Sequence, residues 1–159
     1  MTRRSRAREV ALQLLFARDH NPNVSRADIE RFVSDRLREP ALREFCLLLY
    51  DGTVMHLADI DRRLSEAAEN WRLPRMAAID RNVLRLGAQE LLWMPDTPAS
   101  VALDEAIELA RRFGSADSPR FVNGVLDKLL QTRKAEGGAG GEEAPAPPPA
   151  GSAEAETGG

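Results

Sequence analysis

The chain has 159 residues, enough for one domain with a single hydrophobic core. Its 22 basic and 25 acidic residues give a formal net charge of −3, and a single cysteine with two histidines excludes an internal disulfide and a zinc cluster. The sequence contains neither the apolar core of a secretory signal nor an apolar run of 18 residues, so we expect a cytoplasmic protein without membrane contact.

Four arginines lie at the start of the segment RRSRAREVALQLLF, residues 3 to 16. The first predicted helix spans about residues 4 to 18. The four arginines are Arg3, Arg4, Arg6 and Arg8. The helix macrodipole disfavours cations in the first turn, so these side chains need a favourable partner. An anion such as phosphate is one candidate, because positive charge and free backbone amides meet at a helix start. A frayed, solvated basic terminus is the alternative.

The second and third helices are predicted from their boundary residues. Ser25 followed by Asp28 resembles a capping box and opens the second helix, which ends before Pro40. Pro40 suits the first turn of a long third helix, whose apolar residues continue to Leu64. A bend or break is expected near Gly52.

The fourth helix is predicted to begin at Pro74, and the fifth to begin at Pro98 or Ser100 and end at Gly114. No stretch alternates apolar and polar residues long enough to indicate a strand, so the predicted fold is all-α. The polar face of the fifth helix carries Asp104, Glu105 and Glu108. We interpret them as a solvated face rather than catalytic carboxylates, since catalysis also needs a pocket and shifted pKa values.

The last helix lies in DSPRFVNGVLDKLL, residues 117 to 130, with Ser118 as N-cap and an end near Thr132. Gly124 weakens this helix by about 1 kcal/mol relative to alanine and fills no core position. We therefore expect another backbone or a ligand to approach closely at Gly124.

The same segment places an aromatic ring beside a cation. Phe121 next to Arg120 is the combination that binds single-stranded nucleic acid, with bases stacked on the ring and phosphate on the guanidinium. A core role for Phe121 is the alternative. Asn123 suits either a structural hydrogen bond or a base contact, and Asp117 suits either a helix cap or a ligand contact.

Residues 135–159 contain no Lys, Arg, Leu, Ile, Val or aromatic residue, which predicts a disordered tail after a domain at residues 1–134. That domain holds all 22 basic residues against 20 acidic ones. Arginine outnumbers lysine 20 to 2, which either favours bidentate phosphate contacts or reflects coding bias.

Several of these blocks, in this order, resemble the NusB family. They are the arginine-rich start, Trp71 and Arg75 leading into IDRNVLRLGAQEL at residues 79 to 91, VALDEAIELARRFG at 101 to 114, and DSPRFVNGVLDKLL. The resemblance implies an all-α fold of two small helical bundles packed together. It also implies a non-enzymatic transcription antitermination factor that binds boxA RNA in nascent transcripts together with NusE, a small-subunit ribosomal protein, as part of the RNA polymerase antitermination complex.

The resemblance further implies which residues act, without any metal or cofactor. The implied RNA-binding residues are Arg3, Arg4, Arg6, Arg8, Phe16, Asp117, Arg120 and Phe121, and the implied partner-binding residues are Phe16 and Asp80. Phe16 lacks a tyrosine hydroxyl, and Arg85 is expected to be structural, paired with Glu90 or a helix end. Two other possibilities are a helical module that binds only proteins and the domain found fused to an RNA cytosine methyltransferase, although no cofactor-binding domain follows here.

Overall fold

The computed structural model describes residues 3–69 and 71–137, and this part of the chain contains helices and no strand. The seven α-helices are α1 (Arg3–His20), α2 (Arg26–Arg36), α3 (Pro40–Met55), α4 (Leu57–Ala68), α5 (Ala78–Trp93), α6 (Ala99–Phe113) and α7 (Ser118–Gly137). One turn of 3₁₀-helix, Leu73–Arg75, precedes α5. Among the described helices, none combines the length and the apolar character needed to cross a bilayer.

The first three helices form the N-terminal bundle. Ser25 caps α2 as predicted, because its Oγ accepts a hydrogen bond from the backbone N–H of Asp28 at 3.1 Å. Helix α1 packs against α3, and fully buried side chains such as Val10 and Leu49 lie in their core. Helix α2 covers the same core with Ile29.

Helices α4 to α7 form the C-terminal bundle, in which α5, α6 and α7 all pack on one another. Leu84 of α5 and Leu126 of α7 are fully buried at its centre. Helix α5 also packs against α1 and α3, so the cores of the two bundles are continuous. The prediction of an all-α fold with two packed bundles is confirmed.

The third predicted helix is interrupted near Gly52, as expected, and the break lies at His56, about one helical turn later. Gly52 lies within α3 and leaves room for the buried amide of Gln89, which a β-carbon would displace. That amide oxygen lies 3.0 Å from His56 Nδ1, and the His56 ring stacks on Trp93 at 4.0 Å. Gly52 is therefore a site of close packing, and the polar contact at His56 marks the helix break.

Two further expectations differ from the structure. Arg85 is structural, as expected, but its guanidinium binds both oxygens of Asp61 at 2.9 Å, and Glu90 has another partner. Helix α7 continues to Gly137, five residues past the predicted end, so residues 135–137 belong to the helix. The rest of the predicted tail lies outside the described residues.

Candidate nucleic-acid interface

A cleft of about 470 Å³ lies where the start of α7 meets the segment that leads into α5. Its walls include Trp71, Arg75, Asp80, Asp117, Arg120 and Phe121, and we call it the aromatic cleft. Four of these six are predicted site residues, and they come from two segments separated by about forty positions in the chain. The fold therefore brings Asp80 together with Asp117, Arg120 and Phe121.

The two rings of the aromatic cleft touch each other. Trp71 is 57% exposed, Phe121 is half-buried, and their ring centroids lie 5.4 Å apart at an interplanar angle of 69°. Such edge-to-face contact stabilises both rings. The two rings therefore contact each other directly, and more than half of the Trp71 surface remains exposed.

Residues on either side of the turn after α4 contact α7. At the end of α4, Glu69 adopts a left-handed conformation with φ 44°, which turns the chain, and its carboxylate pairs with Lys128 of α7. The Lys128 ammonium in turn lowers the pKa of Glu69 through a hydrogen bond and its charge. The contact between Trp71 and Phe121, about two helical turns before Lys128, is a second link between this segment and α7.

The aromatic cleft has two unpaired cations and two carboxylates with different roles. Arg75 and Arg120 are exposed and form no ion pair with any of the described residues. Asp117 is exposed, and its backbone carbonyl accepts the first hydrogen bond of α7, from Phe121 N–H at 3.1 Å. Asp80 instead accepts a 2.6 Å hydrogen bond from the buried hydroxyl of Ser118, which ties α5 to α7.

Three of the N-terminal arginines reach the surface but not the aromatic cleft. Arg3 pairs with Glu39, Arg6 lies 3.2 Å from Glu9, and the guanidinium of Arg4 lies 4.3 Å from the ring centroid of Phe45. These contacts supply the favourable partners that a basic first turn needs. Arg4 keeps its charge available, because its described contact is a ring rather than a carboxylate.

Arg8 does not lie on a surface that RNA can reach, contrary to the prediction. Arg8 is only 3% exposed. Its Nε and Nη2 donate hydrogen bonds to the two carboxylate oxygens of Glu90, at 2.8 and 2.7 Å. Glu105 Oε1 lies 3.6 Å from Nη1 of Arg8 and accepts a 2.7 Å hydrogen bond from Ser5 Oγ. Position 8 falls on the buried face of α1, where a bidentate partner compensates for the desolvated charge.

Phe16 lies on a second surface, which we call the phenylalanine patch. Phe16 is 40% exposed and Phe113 is 37% exposed, and with Leu12 and Ile79 they line a shallow, largely apolar cavity of about 180 Å³. Ile79 adjoins Asp80 in the chain, so the patch borders the aromatic cleft. Arg3, at the N-terminal end of α1, lies about 20 Å from Phe16 along the helix, at 1.5 Å per residue.

Comparison with known proteins identifies the family. The model of the NusB family matches residues 5–131. The chain belongs to the NusB family. Among curated relatives named transcription antitermination protein NusB, that of Sorangium cellulosum is 44% identical over 131 residues, covering 82% of this chain and 94% of its own length. That of Solibacter usitatus is 45% identical over 133 residues, covering 81% and 89%.

Solved NusB structures have the same fold. T. maritima NusB superposes with a TM-score of 0.72 at 34% identity, covering 82% of this chain and 92% of that one. A structure of antitermination factors NusB and NusE in complex with dsRNA gives a TM-score of 0.75 at 23% identity, covering 83% and 98%. The second likeness bears on the fold alone.

Some residues that the geometry brings forward were not predicted as site residues. Trp71 and Arg75 contributed to the family resemblance only, yet they form one wall of the aromatic cleft. A tryptophan followed closely by two arginines, in a segment without helical periodicity, was the available signal. In the described part of the chain, no three His, Cys, Asp or Glu side chains are grouped as metal ligands.

Proposed function

We propose that this chain is a transcription antitermination factor that binds boxA-type RNA together with NusE and promotes read-through by RNA polymerase, especially in ribosomal RNA operons. Membership of the NusB family and relatives named as antitermination proteins support this function. The observation that carries the RNA-binding part is the aromatic cleft, where an exposed tryptophan and two unpaired arginines lie side by side. We infer an adaptor without enzymatic activity that works in the cytoplasm.

The aromatic cleft suits a single-stranded nucleic acid. A base stacks on the outer face of Trp71, which is supported from behind by Phe121, and such stacking contributes about 1–3 kcal/mol per base. Arg75 and Arg120 then contact the flanking phosphates. When ionised, the exposed carboxylate of Asp117 can accept hydrogen bonds but cannot donate them. It therefore favours a base edge that presents an amino group.

The phenylalanine patch suits a protein partner, and we assign NusE to it. Phe16 and Phe113 present aromatic surface rimmed by the polar side chains of Glu9 and Gln13, the arrangement found at protein interfaces. Asp80 lies at the border between patch and cleft, with its carboxylate engaged by Ser118. We therefore propose that Asp80 orients the start of α7 and affects partner binding through that position.

The N-terminal arginines divide by accessibility. Arg3, Arg4 and Arg6 remain proposed phosphate contacts at the start of α1, for RNA that extends beyond the aromatic cleft. Arg3 and Arg6 must exchange their carboxylate partners for phosphate, which costs little because surface ion pairs are weak. Arg8 is left out of this proposed contact set.

Fluorescence anisotropy of a labelled boxA RNA against purified variants tests the site. We expect Trp71→Ala to weaken binding roughly 5- to 150-fold, the range that corresponds to one lost stacking contact. Phe121→Ala should weaken binding less, because the Phe121 ring supports Trp71 and does not itself stack on the base. Leu48→Ala is the matched control, because Leu48 is 61% exposed on α3, outside the cleft and the patch. Folded variants of Trp71 and Phe121 that bind like the Leu48 control would overturn the assignment of the aromatic cleft.

A further inference from the structure

Gly124 lies on the exposed face of α7, where the fold does not require a glycine. An added β-carbon at Gly52 would collide with the buried side chain of Gln89, so that glycine is needed for close packing. At Gly124 the same β-carbon would meet no atom of the described residues within 4 Å. Its backbone is helical rather than left-handed, so conformation does not require glycine either. Because glycine weakens a helix relative to alanine, we expect its advantage to lie in contact with a ligand.

A side chain at position 124 would cover the backbone beside the aromatic cleft. Side chains of a helix point towards its N-terminus, so a side chain at this position lies over the preceding turn. That turn carries Arg120 and Phe121, which line the aromatic cleft. At 3.6 residues per turn, Gly124 projects between them, about 40° from Arg120 and about 60° from Phe121 around the helix axis. Glycine therefore leaves the backbone of α7 bare next to the cleft.

Two contacts with the segment after α4 border this bare backbone. Trp71 packs against Phe121 about one turn before Gly124. Glu69 pairs with Lys128 about one turn after it. The stretch between Phe121 and Lys128 is about 10 Å long, at 1.5 Å per residue. Since Glu69 balances the charge of Lys128, a ligand is recognised here by close contact and hydrogen bonds rather than by net charge.

The bare backbone presents hydrogen-bond acceptors. In an α-helix the carbonyl of residue 120 accepts the N–H of residue 124, and a carbonyl oxygen has a second lone pair that can accept another hydrogen bond. A ligand that uses this acceptor must bring a donor. The 2′-hydroxyl of ribose is such a donor in the backbone of RNA, and DNA lacks it. The position therefore suits a ribose rather than a deoxyribose.

We propose that Gly124 is the point at which the RNA site recognises ribose. The sugar next to the base stacked on Trp71 packs on the bare backbone of α7, and its 2′-hydroxyl donates a hydrogen bond to the carbonyl oxygen of Arg120. This inference rests on the RNA-binding function proposed above. Such a contact accounts for a glycine that weakens the helix, and it makes the aromatic cleft selective for RNA over DNA.

A double-mutant cycle between the protein and the RNA tests this contact. Fluorescence anisotropy is measured with labelled boxA RNA and with a series in which each nucleotide in turn carries a 2′-deoxyribose. The chains are the wild type, Gly124→Ala, and the control Ala27→Leu, which adds apolar bulk at an exposed position of α2 in the other bundle. Alanine favours a helix, so Gly124→Ala should be at least as stable as the wild type in urea, and a loss of its affinity is then not due to unfolding.

We expect Gly124→Ala to bind the all-ribose RNA about two- to tenfold more weakly than the wild type, the range that corresponds to one lost hydrogen bond. At one position of the RNA, the 2′-deoxy substitution should weaken binding to the wild type and to the Ala27→Leu control by a similar factor. The same substitution should not weaken binding to Gly124→Ala further, because that contact is already lost.

Three results would overturn the proposal. The first is an equal affinity of the wild type and Gly124→Ala for the all-ribose RNA. The second is a 2′-deoxy cost that is the same in both chains at every position, since the β-carbon would then obstruct RNA without removing a ribose contact. The third is a wild type that does not bind boxA RNA, in which case the proposed function fails as well. Either of the first two results, with normal binding by the wild type, removes the ribose contact alone.

Discussion

Replacing Arg8 by alanine tests whether this residue holds the bundles together or contacts a ligand. Arg8 of α1 makes two hydrogen bonds to Glu90 of α5, at 2.8 and 2.7 Å, and both side chains are more than nine-tenths buried. Alanine removes the cation and leaves the Glu90 carboxylate buried without its partner. The structure therefore predicts a loss of stability rather than a selective loss of RNA binding.

The expected magnitude follows from the burial of the pair. Breaking a buried ion pair by removing one partner costs about 3–5 kcal/mol, out of a total free energy of unfolding of about 5–15 kcal/mol for a typical domain. Each kcal/mol lowers the Tm of a domain of this size by about 3–4 °C, so we expect Arg8→Ala to melt about 10–20 °C lower. Combining Arg8→Met with Glu90→Leu should recover most of the loss, because apolar side chains then fill the space without an unpaired charge.

Urea unfolding followed by far-ultraviolet circular dichroism measures these differences. Arg4→Ala is the control, since Arg4 is exposed and lies over a ring rather than a buried carboxylate, and it should change the free energy of unfolding by at most about 1 kcal/mol. If Arg8→Ala is as stable as Arg4→Ala and still loses RNA affinity, then Arg8 is a ligand contact and the structural interpretation is refuted.

Other substitutions probe local features. Gly124→Ala should raise the free energy of unfolding by about 0.5–1 kcal/mol, because an added β-carbon meets no atom within 4 Å, and a less stable variant in urea would contradict this. Burial, aided by the charge of Asp51, raises the pKa of Cys46 to about 12, so alkylation by iodoacetamide at pH 8 should follow unfolding, and rapid alkylation of the folded chain would be inconsistent. Desolvation raises the pKa of Asp59, but hydrogen bonds and charges from Arg62 and Arg63 outweigh it and place that pKa below its ordinary value. The stability that this lowered pKa contributes is present above about pH 4 and is lost as the pH falls through the lowered pKa. Asp59→Asn should therefore flatten the acid side of a plot of Tm against pH. An unchanged slope would argue against a stabilising role for the Asp59 carboxylate.

Local signals in the sequence predicted most of the helices. Ser25 caps α2 and Pro40 opens α3, since capping and proline geometry depend only on neighbouring residues. The helix is interrupted near Gly52 as predicted, but the packing of Gly52 against Gln89 was not predictable, because Gln89 lies on another helix. Gly124 was expected to admit a neighbouring backbone or a ligand, and the described structure has no backbone near it and leaves its surroundings open.

The candidate site was predictable only in part. Helical periodicity placed Phe121 at the edge of the apolar stripe, and the ring is indeed half-buried. The contact of Phe121 with Trp71 and the pairing of Arg8 with Glu90 join positions far apart in the chain, and a single sequence carries no local signal for such pairs. Arg8 in particular shares its residue type with three exposed neighbours, so composition did not distinguish the buried arginine from the surface ones.

Anisotropy of a short boxA RNA with the wild-type chain, measured with and without NusE and against a scrambled RNA at two salt concentrations, tests the central claim most directly. The account predicts that NusE tightens binding, that scrambling weakens it, and that affinity falls steeply with salt. If neither NusE nor the RNA sequence changes the affinity, the chain is a helical interaction module that has the NusB fold without the proposed recognition of boxA.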